Sequence, residues 1–184
     1  MKLFLASASP RRGELLAQIN IDYERVKAGI DEVQQVDESG AQYVKRLALE
    51  KAQAGLHNNN QKGLVLGADT IVVCDGYVME KPKNKQHALQ MMNMLSANTH
   101  QVLTAVALVN KDKQLIKLVI TDVTFKALTE QEISDYWDTG EPQDKAGGYG
   151  IQGIAGQFVT HISGSYSAVV GLPLYETAEL IKSF

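Results

Sequence analysis

The 184-residue sequence has one cysteine, Cys74, so no internal disulfide can form. Its four histidines, His57, His87, His100 and His161, are scattered and give no zinc-ligand spacing with that thiol. A reducing cytoplasm fits such a chain. A cationic surplus is also missing: 18 Lys and Arg stand against 21 Asp and Glu, for a net charge of -3 and a pI near 5.8. No overall positive field draws the protein onto a nucleic-acid polymer or an anionic membrane, so any anionic ligand must be held by a local cluster. No apolar run approaches the roughly 20 residues of a membrane helix. The opening MKLFLASAS imitates a signal peptide only until Pro10-Arg11-Arg12 interrupts it. The chain also lacks a phosphate-loop lysine motif and a GxSxG nucleophile elbow. What it does have is 45% hydrophobic residues in 20.1 kDa, enough for one compact domain spanning residues 1–184 and too many for global disorder.

The pattern of elements predicts an α/β or mixed α+β class. KLFLA reads as a short strand, and Ser9-Pro10 supplies a capping hydroxyl and a helix-initiating proline, with Leu15, Leu16 and Ile19 as the apolar face. DYERV from Asp22 reads as a second strand, and a helix opens at Ser39. On that helix Val44, Leu47, Ala48 and Gly55 share one face with Lys51, whose stem would pack in the stripe while its ammonium reaches out. Leu64 to Cys74 reads as a strand joined by an Asp75-Gly76 turn to YVMEK, a long hairpin. Asn84 opens a helix with Ala88, Met91, Met92 and Leu95 inward, and HQVLTAVALVN and QLIKLVITDVTF read as strands. Thr129 and Glu132 have capping-box spacing for a helix ending near Thr139-Gly140. QFVTHI and SYSAVVG resemble a strand pair, and Pro173 starts the last helix. Interspersed strands and helices imply a mixed sheet.

Gly148-x-Gly150-x-x-Gly153 matches the dinucleotide fingerprint by letter but not by context. Polar DTGEPQDKA precedes it and β-like QFVTHI follows, where a strand and then a helix are required. Its glycines imply close backbone approach, in either a structural or a ligand-lining loop. SASPRR, Ser7 to Arg12, is more informative. Two arginines in a helix's first turn oppose its positive dipole end unless an anion offsets them, which leaves solvated arginines or a phosphate site as the two readings. Asp69 interrupts a run suited to burial, so it must be protonated, paired, metal-bound or at a cleft edge. Lys81 in Glu80-Lys81-Pro82 and Lys51 are each, taken singly, ordinary solvated or snorkelling lysines, and Asp31-Glu32 is ordinary polar surface.

In order along the chain, SASPRR, GADT (Gly67 to Thr70), EKP (Glu80 to Pro82), DKAGGYGIQG (Asp144 to Gly153) and GSYSAVVGLPLYET (Gly164 to Thr177) resemble the Maf family of nucleoside triphosphate pyrophosphatases. The likeness runs from Leu3 almost to the C-terminus. Arg11, Thr70 and Gln152 resemble the branch acting on dTTP and UTP rather than the branch acting on 7-methyl-GTP. The resemblance implies an elongated fold, with a twisted mixed sheet flanked by helices and two lobes around a central nucleotide cleft. It also implies a divalent metal, Mg2+ or Mn2+, and hydrolysis of the α-β phosphoanhydride to a monophosphate and pyrophosphate, a nucleotide-pool cleaning role. On that basis Ser7, Arg11, Arg12, Lys51 and Lys81 would cradle the triphosphate. Asp69 would be the general base, with Thr70 beside it, and Glu32 would join Asp69 in holding the metal. Gln152 would answer the N–H and carbonyl groups of uracil or thymine. The alternatives are a purine-directed inosine or xanthosine triphosphate pyrophosphatase, and a nucleotide-binding regulator of cell division. Homodimers are common in the family, although no residue here identifies an interface.

Overall fold

The computed structural model describes residues 2–60 and 62–184. In chain order the described residues form β1 (Leu3–Leu5), α1 (Pro10–Gln18), β2 (Glu24–Arg25), α2 (Gly40–Asn58), β3 (Leu64–Cys74), β4 (Tyr77–Met79) and α3 (Lys85–Leu95). There follow β5 (Thr99–Val109), β6 (Gln114–Phe125), α4 (Glu130–Asp138), three short 3-10 turns, β7 (Val159–Ser163), α5 (Tyr166–Val170) and α6 (Leu174–Lys182). The strands hydrogen-bond in the order β2-β1-β3-β5-β6-β7, with β4 on β3. β1 runs parallel to both β2 and β3, pairing Leu5 with Arg25 and Leu66. β4 and β7 pair antiparallel with β3 and β6, so the sheet is mixed as the element pattern predicts. None of the described helices is long and apolar enough to cross a membrane.

The chain divides into two compact units. The first holds the residues up to Thr70, Thr104–Val119 and Gly171–Phe184. Its core includes Leu3, Leu5, Leu16, Tyr43, Leu47, Leu66 and Leu172, all almost completely buried. The second unit, Ile71–Leu103 and Ile120–Val170, is built on Val72, Met79, Met91, Met92, Leu95, Phe125, Ile133, Tyr136 and Phe158. Met91 and Met92 are therefore core packing. The Thr129 capping box forms as its spacing predicts: the hydroxyl accepts from Glu132 N–H at 3.2 Å and the Glu132 carboxylate accepts from Thr129 N–H at 2.8 Å.

Four local expectations are corrected. The second strand is only Glu24–Arg25, because its partner β1 offers a three-residue edge before the chain turns into the SASP loop. The hairpin turn is present, with Asp75 and Gly76 both at positive φ (49° and 83°), but its second strand stops at Met79. There the Glu80 carbonyl is taken by Gly147 N–H at 3.2 Å, so the backbone leaves β3 for the glycine-rich loop. SYSAVVG is helical: the Ser165 hydroxyl accepts from Ala168 N–H and the Ser165 carbonyl from Val169 N–H, both at 3.2 Å. That local bonding outweighs the β preference of the two valines. Ser9 makes no side-chain cap to α1, and its own N–H instead donates to Ser7 Oγ at 3.2 Å.

Candidate active site

Helix α2 lies directly on β3 because the facing residues have almost no side chain. Ala48, Ala52 and Gly55 form the contact stripe, and a Cβ on Gly67 of β3 would come within 2.5 Å of Ala52 N. This backbone-to-backbone approach carries Lys51 to Asp69. Lys51 Nζ donates to Asp69 Oδ1 at 2.7 Å and lies 3.0 Å from Glu32 Oε1. Lys51 is 8% exposed and Asp69 6% exposed. The ammonium does not reach out of the helix stripe as the sequence pattern suggests. It turns inward, because a buried carboxylate is available as a partner. Burial pushes the Asp69 carboxyl above the ordinary carboxylate range, opposed by the charges of Lys51 and Arg12 and reinforced by Glu32.

Glu32 sits on the exposed loop that precedes α2, and that loop is tied down from the helix. Its carbonyl accepts from the Tyr43 hydroxyl at 3.0 Å. Arg46 forks onto Glu38 at 2.7 and 2.8 Å and donates to the Val33 carbonyl at 3.0 Å. The surface reading of Glu32 therefore gives way to a carboxylate anchored within reach of the Lys51 ammonium.

Arg12 is buried and meets neutral oxygens. Its Nε donates to the Gly171 carbonyl at 2.8 Å, Nη1 to Ser7 Oγ at 3.1 Å and Nη2 to Thr70 Oγ1 at 3.4 Å. Thr70 is itself paired with Thr104 Oγ1 at 3.1 Å. The first turn of α1 holds no acidic residue. Burial lowers the Arg12 pKa from its ordinary value, opposed by the fields of Asp69 and Glu32. A desolvated guanidinium held by three neutral acceptors keeps its charge and spare N–H donors, the condition an incoming phosphate would relieve.

Of the residues singled out in the sequence, Ser7, Arg12, Glu32, Lys51, Asp69 and Thr70 come together in the first unit. Arg11 is half-buried in the first turn of α1. Lys81 and Gln152 belong to the second unit and are exposed, Lys81 after β4 and Gln152 between two 3-10 turns. Three contributors escaped the sequence reading: the Gly171 carbonyl, the Thr104 hydroxyl and the Tyr43 hydroxyl. Gly171 lies in the GSYSAVVGLPLYET stretch, yet no local pattern marks a backbone carbonyl as an acceptor for an arginine 159 positions away.

A family model described as Maf-like protein matches residues 2–184. The chain belongs to the Maf family. Maf relatives of high similarity include a dTTP/UTP pyrophosphatase of Shigella dysenteriae serotype 1, 58% identical over 182 residues that cover 99% of this chain and 92% of that one. A dTTP/UTP pyrophosphatase of Vibrio parahaemolyticus serotype O3:K6 is 55% identical over 184 residues, covering 100% and 97%. Among solved structures, a nucleoside-triphosphatase / dITP/XTP pyrophosphatase from Mycobacterium abscessus superposes on this Maf chain with a TM-score of 0.45 at 18% identity, covering 70% of this chain and 76% of that one.

Proposed function

We propose that the chain hydrolyses the α-β phosphoanhydride of pyrimidine nucleoside triphosphates, dTTP and UTP, releasing a monophosphate and pyrophosphate in the cytoplasm. The observation that carries this is the presence in one unit of a buried Arg12 held by three neutral oxygens and of a buried Asp69, paired with Lys51, whose carboxyl is shifted upward. The relatives named dTTP/UTP pyrophosphatase support the substrate class.

Arg12, Ser7 and the Lys51 ammonium would bind phosphate oxygens, each charge-assisted contact contributing roughly 1.5 to 3 kcal/mol. Arg11, in the first turn of α1, would add to that cradle. Asp69 would accept a proton as water oxygen bonds to phosphorus and the anhydride oxygen leaves with the pyrophosphate. Such a displacement needs positioning and charge neutralisation more than a covalent nucleophile. The donor set suits a hard divalent cation: Asp69 and Glu32 each offer carboxylate oxygens, one at 2.7 Å and one at 3.0 Å from the same Lys51 ammonium. Among the described residues no group of three or more His, Cys, Asp or Glu could hold a metal, so the other positions would fall to phosphate oxygens and water. Mg2+ or Mn2+ held by Asp69 and Glu32 would supply charge neutralisation of the phosphates.

Pyrophosphate release from a panel of pyrimidine and purine triphosphates, with Mg2+ or Mn2+, tests the assignment. dTTP and UTP are expected to turn over fastest and at similar rates, because one methyl group is worth only about 1 to 3 kcal/mol in a pocket. Fastest turnover of inosine or xanthosine triphosphate would overturn the role of Gln152, and binding without turnover under either metal would overturn the enzyme.

A further inference from the structure

The glycine pattern that fails as a dinucleotide fingerprint has a different cause. Glu141 follows α4 and lies beneath the loop that carries Gln152. Its Oε2 accepts from Ile154 N–H at 2.9 Å and its Oε1 from Ala155 N–H at 3.4 Å. Oε1 also accepts from the Tyr136 hydroxyl at 2.8 Å, and that hydroxyl in turn accepts from Gly150 N–H at 3.1 Å. One carboxylate, directly and through one phenol, thus grips the backbone on both sides of Gln152. The glycines are what let it come so close. A Cβ on Gly153 would run into the Glu141 carboxylate, and one on Gly150 would lie 2.7 Å from Lys145 Cε. Lys145 closes the base of the clamp by donating from Nζ to the Glu141 carbonyl at 2.8 Å.

Tyr136 is 2% exposed and stacks edge-on against Phe158, so the phenol is held by the core of the second unit. Gln152 is exposed and sits between the gripped positions. A carboxylate suits this task because its two oxygens accept several bonds at once, whereas a carboxamide turned the same way presents a donor to one of the N–H groups.

We propose that Glu141, acting with Tyr136, is the positioning residue that fixes the Gln152 loop and so governs how Gln152 reads the base. The proposal rests on Gln152 as the group that reads the base. In hydrolysis assays, Glu141→Gln is expected to raise KM for UTP about five- to tenfold with kcat within about twofold, the pattern of lost binding shared by ground and transition states. Inhibition by inorganic tripolyphosphate, which has no base, should be unchanged. Gln152→Ala is expected to raise KM similarly, and the Glu141→Gln, Gln152→Ala double variant to be no worse than either alone. Tyr136→Phe keeps the packed ring, removes the hydroxyl and should reproduce a smaller KM rise. Impaired Gln152→Ala beside intact Glu141→Gln and Tyr136→Phe would overturn the positioning role alone. An unimpaired Gln152→Ala would overturn the base-reading assignment and the proposal with it. A fall in kcat and tripolyphosphate affinity together in Glu141→Gln, additive with Gln152→Ala, would reduce Glu141 to a structural residue.

Discussion

Lys51 Nζ and Asp69 Oδ1 are 2.7 Å apart, on a helix and a strand that touch through backbone at Gly67. A buried ion pair of this kind gains little stability over a well-packed apolar pair, because desolvation of both charges offsets their attraction. The ammonium restrains the carboxylate while burial raises its proton affinity.

Asp69→Asn keeps the shape of the side chain and removes the proposed proton acceptor. Turnover is expected to fall by about 10² or more while triphosphate still binds. Steady-state kinetics together with calorimetric binding of UTP check this, and unchanged kcat would show that the base lies elsewhere.

Arg12 is held as a fork by Gly171, Ser7 and Thr70. A lysine supplies one point charge and cannot meet all three acceptors while also facing a phosphate. Arg12→Lys should therefore weaken triphosphate binding almost as much as Arg12→Ala, within roughly threefold. Full rescue by lysine in a binding titration would mean that charge alone suffices.

Gly67→Ala forces a methyl into the backbone of α2. A destabilisation of roughly 1 to 3 kcal/mol is expected from overpacking, with loss of activity as the helix moves Lys51 away from Asp69. Urea unfolding and hydrolysis rates provide the measurement, and a variant as stable and active as the wild type would contradict the close approach.

His100 is 1% exposed, its Nε2 bonded to the Tyr149 hydroxyl at 2.8 Å, and burial lowers its pKa from 6.5 to about 4. Between those values the unfolded chain binds the proton that the folded chain refuses, so stability rises with pH across this window. The contribution is complete above the unfolded pKa and is lost as pH falls toward 4, amounting to roughly 3 kcal/mol. Thermal unfolding of the wild type and of His100→Gln from pH 7 to 4 should show the wild type losing more stability. Parallel curves would remove His100 from the account.

The sequence by itself determined what neighbouring residues decide among themselves. The Thr129 and Glu132 capping box and the Asp75-Gly76 turn follow from backbone and side-chain chemistry within a few positions, and the inward methionines of α3 from helical spacing. Charge logic also worked locally: two arginines at a helix start and an aspartate in an apolar strand are costly features that need a partner. Local signals failed where the competing interaction was itself tertiary or lay in a single hydroxyl, as at Ser165, whose backbone bonding turned a β-like run into a helix. Only the tertiary structure decided the partners. It aimed the Lys51 ammonium inward, set Gly171 against Arg12 across 159 positions and placed Glu141 under the Gln152 loop. Those outcomes depend on which backbones can approach and what is thereby cut off from water, quantities that residue type and spacing do not carry.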